Sequence, residues 1–275
     1  FDQAIRLQPD DASTFANRGA AYQRKGELDR ALQDLDRATG LDPRLTVAFP
    51  YRGAAYSMRG EWDQAIKEYS RVIEIDPKDV GALYNRGIAH SRRQKWEAAV
   101  QDFDQAISFN PNDASAFRNR GFAYQKLGQL DAAIADFDRA VQLNPDDAVA
   151  FVFRGGVHQR KGEIDRAIHD YDRALQLDPN NVKAPALAGN AAFQRGDFNG
   201  AGERWERILP LVPPGSALHQ GTLASLAQVR QRTAAAAPAQ TPAEKRPGQT
   251  AAAAGGLSGT VSLRPAPGGG AAPGD

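Results

Sequence analysis

The sequence predicts an all-α solenoid, a stack of antiparallel helix pairs, on three observations. Prolines fall at Pro9, Pro43, Pro77, Pro111, Pro145, Pro179 and Pro213, each 34 residues after the last. Glycines keep the same step at Gly19, Gly53, Gly87, Gly121, Gly155 and Gly189, and so do alanines at Ala31, Ala65, Ala99, Ala133, Ala167 and Ala201. A fixed period of this length marks one supersecondary unit that cannot bury its apolar face alone and buries it against its neighbours.

The units follow in order. Residues 1–11 read as the second helix of a truncated repeat, because Phe1–Pro9 matches Phe103–Pro111 closely. An earlier N-terminal sequence, with any anchor, signal or catalytic domain, is therefore expected. Five full repeats are expected at 12–45, 46–79, 80–113, 114–147 and 148–181, and the fourth shows the physics most cleanly. Asp113 stands where an N-cap accepts main-chain amides, ahead of Phe117, Gly121 and Tyr124 at helical spacing. Gly128 can close that helix in a left-handed turn. A second stripe, Leu130, Ala133, Ile134, Phe137, Ala140 and Val141, runs until Pro145, which has no amide donor and disfavours helix in the residue before it. Gly121 and Ala133 are small where bulky Phe117 or Phe137 must be received.

The departures from the pattern carry expectations of their own. Gln94 replaces the turn glycine of the third repeat, which costs little if that residue stays in a helical conformation. Pro50 and Pro185 fall in the first turn of first helices, where a missing amide is tolerated. Residues 182–233 read as a degenerate sixth repeat and a capping helix. Gly200 and Gly202 weaken its second helix and Trp205 takes the slot of Phe137. The capping helix is expected at Ser216–Arg232, with Leu218, Leu223, Leu226 and Val229 as its apolar face. Residues 234–275, mostly Ala, Pro and Gly, predict a disordered C-terminal tail with one strand-like fragment at 258–263.

The order Phe117, Gly121, Tyr124, Ala133, Phe137, Ala140, Pro145, repeated across residues 12–181, resembles the tetratricopeptide repeat. The resemblance implies a right-handed superhelical solenoid whose first helices line a concave groove for a peptide or a partner helix. Charge follows the repeat as well. Over the five full repeats, the first 14 residues of each contain 14 Lys or Arg and no acid, while the remaining 20 contain 25 acids against 10 bases. The two faces should carry opposite potentials although the chain as a whole is +1.

Part of that charge is expected to be structural. Arg18, Arg52, Arg86, Arg120 and Arg154 recur beside the packing glycine, and Asp34, Glu68, Asp102, Asp136 and Asp170 recur on the second helix, so an inter-helix ion-pair ladder is expected. By the geometry the resemblance implies, Arg24, Arg92, Arg118, Lys126 and Arg160 face the groove with Tyr51, Tyr84, Phe122 and Phe153. Asn17, Asn85 and Asn119 supply amides able to hold a peptide backbone. Tyr84, Arg92, Arg118, Asn119, Phe122, Lys126 and Phe153 form the expected centre, suited to an acidic or carboxylate-terminated segment held by charge-assisted bonds and aromatic anchoring. Arg118 and Lys126 are expected to be free for that ligand. A solvated face with no ligand is the alternative. The carboxylate clamp of chaperone-binding repeats is not expected, since Pro50, Ala54, Ser115 and Asn119 stand where its lysines, arginine and an asparagine are needed.

No catalytic chemistry assembles. The chain has no cysteine, which removes thiol enzymes, disulfides and zinc–thiolate sites. His90 and His158 occupy the slot of Tyr22, Tyr56 and Tyr124, two repeats apart, on the order of 20 Å for helices packed at ~8–10 Å. That is too far for a shared metal. No phosphate loop, dinucleotide fingerprint or nucleophile elbow is present, so neither enzyme activity nor a cofactor is expected. The small net charge and the lack of a nucleic-acid-binding module argue against nucleic acid, and no apolar run reaches the ~18–20 residues that span a bilayer.

A narrower resemblance rests on Gln194–Phe198, Trp205–Leu209, Pro213–Leu218 and the helix to Arg232, together with Ser258–Leu263 and the ending at Asp275. These look like the closing repeat, and the start of a following small β domain, of the CycH-type cytochrome c maturation family. That resemblance implies a bacterial, periplasmic, membrane-anchored chaperone that holds apocytochrome c for haem ligation. The alternative is a generic adaptor, or a regulatory array belonging to a catalytic domain, in the cytoplasm.

Overall fold

Four aspartates begin first helices by accepting main-chain N–H groups. Asp11 takes that of Ser13 at 3.0 Å, Asp79 that of Ala82 at 2.8 Å, Asp113 those of Ser115 and Ala116, and Asp147 those of Val149 and Ala150. Each satisfies donors that the helix itself cannot. The computed structural model describes residues 1–236, and those residues are helical throughout, with no strand. The order is α1 (Asp2–Leu7), α2 (Ala12–Lys25), α3 (Leu28–Leu41), α4 (Ala48–Met58), α5 (Trp62–Ile75), α6 (Val80–Arg92), α7 (Trp96–Phe109), α8 (Ala114–Lys126), α9 (Leu130–Leu143), α10 (Ala148–Arg160), α11 (Ile164–Leu177), α12 (Lys183–Arg195), α13 (Phe198–Glu206), a 3₁₀ turn (Leu209–Leu211) and α14 (Ala217–Ala236). The tail and the strand-like fragment at 258–263 lie outside the described residues.

Helix α4 has no side-chain cap, since Val47 stands at its start, and at 11 residues it is the shortest first helix. Gly26, Gly60, Gly128, Gly162 and Gly196 end first helices at φ between 76° and 87°, a conformation that costs a side chain with a Cβ but not glycine. Gln94 holds the same place at φ 57° and is, among the described residues, the only non-glycine with positive φ. The condition for a cheap replacement, that Gln94 stay in a right-handed helical conformation, is therefore not met. The reversal into α7 must be made at this residue whichever side chain it carries, so repeat geometry overrides local preference.

Packing glycines let each pair of helices close. A Cβ on Gly87 would lie 2.8 Å from Cε1 of Phe103, and one on Gly155 would lie 2.8 Å from the same atom of Tyr171. Neighbouring helices pack in sequence order, and first helices also touch first helices across repeats, α2 with α4 and so on to α10 with α12. No comparable contact joins second helices. The array therefore curves with its first helices inside.

An arginine ladder ties the layers together. Arg18, Arg86, Arg120 and Arg154 each grip a second-helix carboxylate of the same pair through two nitrogens, Asp34, Asp102, Asp136 and Asp170 respectively, at 2.7–3.0 Å. Arg52 does the same with one oxygen of Glu68. The remaining nitrogen reaches back one layer, to Asp2, Asp36, Ser70, Asp104 and Asp138 in turn. These hydrogen bonds, with Asp34 and Asp136 the largest causes, hold Arg18 and Arg120 well above the ordinary arginine value. Such a pair costs several kcal/mol, about 3–5, when one partner is removed, because the other stays buried and unpaired.

The C-terminal closure departs from the expected face. Leu226 and Val229 are buried, but Leu218 and Leu223 are 43% and 46% exposed, and Thr222 is the third buried position of α14. Leu226 and Val229 pack with Ala201, Trp205 and Ile208. The buried face of α14 is therefore Thr222, Leu226 and Val229, a selection that helical spacing alone does not make, since 218 lies four residues before 222 and 223 three before 226.

Candidate binding groove

On the inner face, repeats 3 to 5 line a cavity of about 740 Å³. Seven residues singled out from the sequence line it together: Tyr84, Arg92, Arg118, Asn119, Phe122, Lys126 and Phe153. They come from the middles and C-terminal ends of α6, α8 and α10, brought to one side because first helices approach one another. Three others lie elsewhere. Half-buried Tyr51 packs in the first-repeat cluster with Leu35 and Ala38. Asn85 is exposed outside the cavity lining. Arg160 is exposed and donates to the carbonyl oxygen of Gln125 at 2.9 Å.

The cavity floor is aromatic. Phe122 lies 5.0 Å from Phe153 and 5.9 Å, edge-on, from Trp96, while Phe153 reaches Phe137 at 5.9 Å. Trp96, Ile88, Ser91, Gln94 and Phe103 complete the lining. Sequence reasoning missed Trp96 because it starts a second helix and the groove was assigned to first helices. Its neighbour in the helical turn offered a signal: Val100, one turn on, continues an apolar stripe on α7 and packs in the same cluster as Trp96 and Tyr84.

The polar groups of the site divide into occupied and available. Arg118 Nη1 donates to Asp147 Oδ2 at 2.5 Å, and Asp147 is 8% exposed. The same carboxylate caps α10 through Oδ1. The expectation that Arg118 is free for a ligand is therefore corrected, because the buried cap needs its charge. Asn119 Nδ2 donates to the Tyr84 hydroxyl at 2.8 Å, so that half of its amide is spent on holding Tyr84. Burial raises the Tyr84 hydroxyl above the ordinary tyrosine value and keeps it a neutral hydrogen-bonding group. Lys126 is exposed, with Nζ 5.1 Å from the centre of the Phe122 ring, and Arg92 stands 5.8 Å over Trp62. Among the described residues, no carboxylate lines the cavity. Arg92 and Lys126 are thus its accessible cations, flanking an aromatic floor.

No helix among the described residues is long and apolar enough to cross a membrane. Solved structures share the fold. MamA matches at 26% identity and TM-score 0.56, over 58% of this chain and 93% of that one. YrrB, described as a TPR protein with an unusual peptide-binding site, matches at 24% identity and TM-score 0.59, over 67% and 95%. The PilF protein of Pseudomonas aeruginosa matches at 21% identity and TM-score 0.64, over 78% and 98%. No curated protein matches the chain. Tetratricopeptide repeat family models match residues 1–33, 90–154 and 148–181, and a TPR repeat model matches residues 53–94. The chain is a tetratricopeptide repeat protein.

Proposed function

We propose that the chain is a non-enzymatic protein-interaction scaffold, whose five full repeats and degenerate sixth present the cavity of repeats 3 to 5 to an extended acidic peptide bearing an aromatic side chain. The observation that carries this reading is the cavity itself: an aromatic floor of Trp96, Phe122 and Phe153 with Arg92 and Lys126 at its edge and no lining carboxylate. Aromatic and arginine side chains together are what binding hot spots use. The peptide-binding site reported for YrrB supports the class of ligand. The test is fluorescence anisotropy with a labelled peptide carrying one tryptophan between glutamates. Arg92→Ala with Lys126→Ala should weaken binding roughly tenfold and flatten its salt dependence. Arg118→Ala should instead cost about 1–3 kcal/mol of stability, by stranding Asp147. Binding that is unchanged in the double variant would end the proposal.

A second reading is favoured by the C-terminal sequence. Trp205 and α14 form the closing layer on which the CycH-type resemblance rests, and that family would have the groove hold the amphipathic C-terminal helix of an apocytochrome c, anchored at Phe122 and Phe153. On this reading the chain is a bacterial periplasmic chaperone anchored through a preceding segment. A chain without thiols avoids mixed disulfides with the haem-binding cysteines. Immobilised protein should then retain apocytochrome over holocytochrome and over an unrelated acidic helix. Equal retention of all three would leave a generic adaptor, or a regulatory array of a larger enzyme.

A further inference from the structure

Every first helix from α2 to α12 reverses through a left-handed residue or closes next to one, and the register 26, 60, 94, 128, 162, 196 is glycine except at Gln94. Glycine adopts that conformation without penalty, whereas a glutamine there carries backbone strain that repeat packing has to absorb. Strain of this kind persists where the side chain is needed for something other than stability. Gln94 offers no intramolecular reason for its presence. Its side chain is exposed, and among the described residues its amide has no hydrogen-bond partner; only its main-chain N–H is engaged, by the Ser91 carbonyl at 3.0 Å.

Its location supplies the reason. Gln94 lines this cavity of repeats 3 to 5 beside Arg92 and Trp96. In the neighbouring repeats the same register is Gly60 and Gly128, which place nothing there. The left-handed turn itself sets the direction of the Cβ, so a donor and acceptor pair is carried to the cavity edge. The other amide of the site, Asn119, has one of its two N–H donors taken by Tyr84.

We propose that Gln94 is a specificity-determining residue of this groove, its carboxamide pairing with the main chain of a bound extended peptide. The inference rests on the groove reading above. A peptide bond offers one donor and one acceptor at once, and a primary carboxamide is the side chain that answers both. Arg92 and Lys126 select charge, and Trp96, Phe122 and Phe153 take the aromatic side chain. Gln94 fixes the register of the backbone between them.

Three variants of the full chain separate this role from a merely structural one, with the glutamate–tryptophan peptide as probe. Gln94→Gly should raise the melting temperature by roughly 2–4 °C, because the strain is relieved, and lower affinity about threefold to tenfold, because a hydrogen-bonding pair is lost. Gln94→Ala keeps a Cβ in the left-handed turn and lacks the amide, so affinity should fall equally without the thermal gain. Gln94→Asn tolerates the conformation and keeps the carboxamide, and should retain more affinity than either. Wild-type affinity in both the glycine and alanine variants would overturn the inference and leave the groove reading standing. No binding by the wild-type chain would overturn the groove reading and this inference with it.

Discussion

At the scale of single residues, the third repeat is where chemistry and packing are in tension. His90 and His158 fill the same register, yet their surroundings differ. His158 Nδ1 lies 2.7 Å from Glu163 Oε2. At His90 the equivalent of Glu163 is Lys95, and the buried Nδ1 has no hydrogen-bond partner. Burial, with Arg86 and Lys95 adding to it and Asp102 opposing, pulls the His90 imidazole below its ordinary value. A base depressed in the folded state binds its proton more readily once unfolded, so stability is fully present above about pH 6.5 and falls as pH drops through that value. Tyrosine fills this register in α2, α4 and α8 at Tyr22, Tyr56 and Tyr124. His90→Tyr should therefore gain more stability at pH 5.5 than at pH 7.5, read from urea unfolding at the two values; an equal gain at both would refute the account. Sequence placed His90 as an aromatic stand-in. Its missing partner was not legible, because the deciding neighbour is five residues away around a reversal of the chain, at Lys95.

At the scale of helices, the repeat register was legible because a backbone unit of fixed length imposes it. The Arg120–Asp136 pair could be anticipated from spacing alone, 16 residues apart in every layer. The second half of each rung could not, since it joins residues of separate repeats whose approach depends on helix packing. Once seen, its register is plain: Asp2, Asp36, Ser70, Asp104, Asp138 and Asp172 stand 34 residues apart, with serine as the exception. Asp172 meets Arg204 instead of a first-helix arginine, because Ala188 holds the arginine place in α12 and Arg204 the aspartate place in α13. The charges have changed sides in the degenerate repeat and the rung survives. Ser70 is the weaker case. Its hydroxyl accepts from Arg86 Nη1 at 3.1 Å, without the charge that Asp104 and Asp138 provide to Arg120 and Arg154 at 2.7 Å. Ser70→Asp should complete the rung and stabilise the junction of repeats 2 and 3 by about 0.5–1 kcal/mol in low salt, fading as salt rises. Denaturant midpoints across a salt series would show it, and a destabilised variant would mean that the site has no room for the carboxylate.

At the scale of the whole molecule, the sequence disclosed the charge split but not its distribution. Arg59 and Arg93 reach back 30 residues to Asp29 and Asp63, and Lys161 and Arg195 do the same to Asp131 and Asp165. These exposed pairs and the arginine ladder consume most of the first-helix cations, so the groove proposed above would draw its charge from Arg92 and Lys126 rather than from a basic face along its length. The same layer-to-layer construction makes stability local, since each pair of helices is held by its neighbours and by nothing more distant. The closing layer tests this. Leu226 is buried with Ala201, Trp205 and Ile208, and an aspartate there would place an unpaired charge among apolar side chains. Leu226→Asp should detach α14 and uncover the last pair of helices. Amide hydrogen exchange should then rise in α12 and α13, through loss of the cover over Trp205, and stay near wild type in α2 to α5. If protection fell evenly along the array, the repeats would be one cooperative unit, and the local view of this fold would fail. If α12 and α13 kept their protection, Trp205 and its partners would close the array without α14, and the capping role of that helix would fail instead.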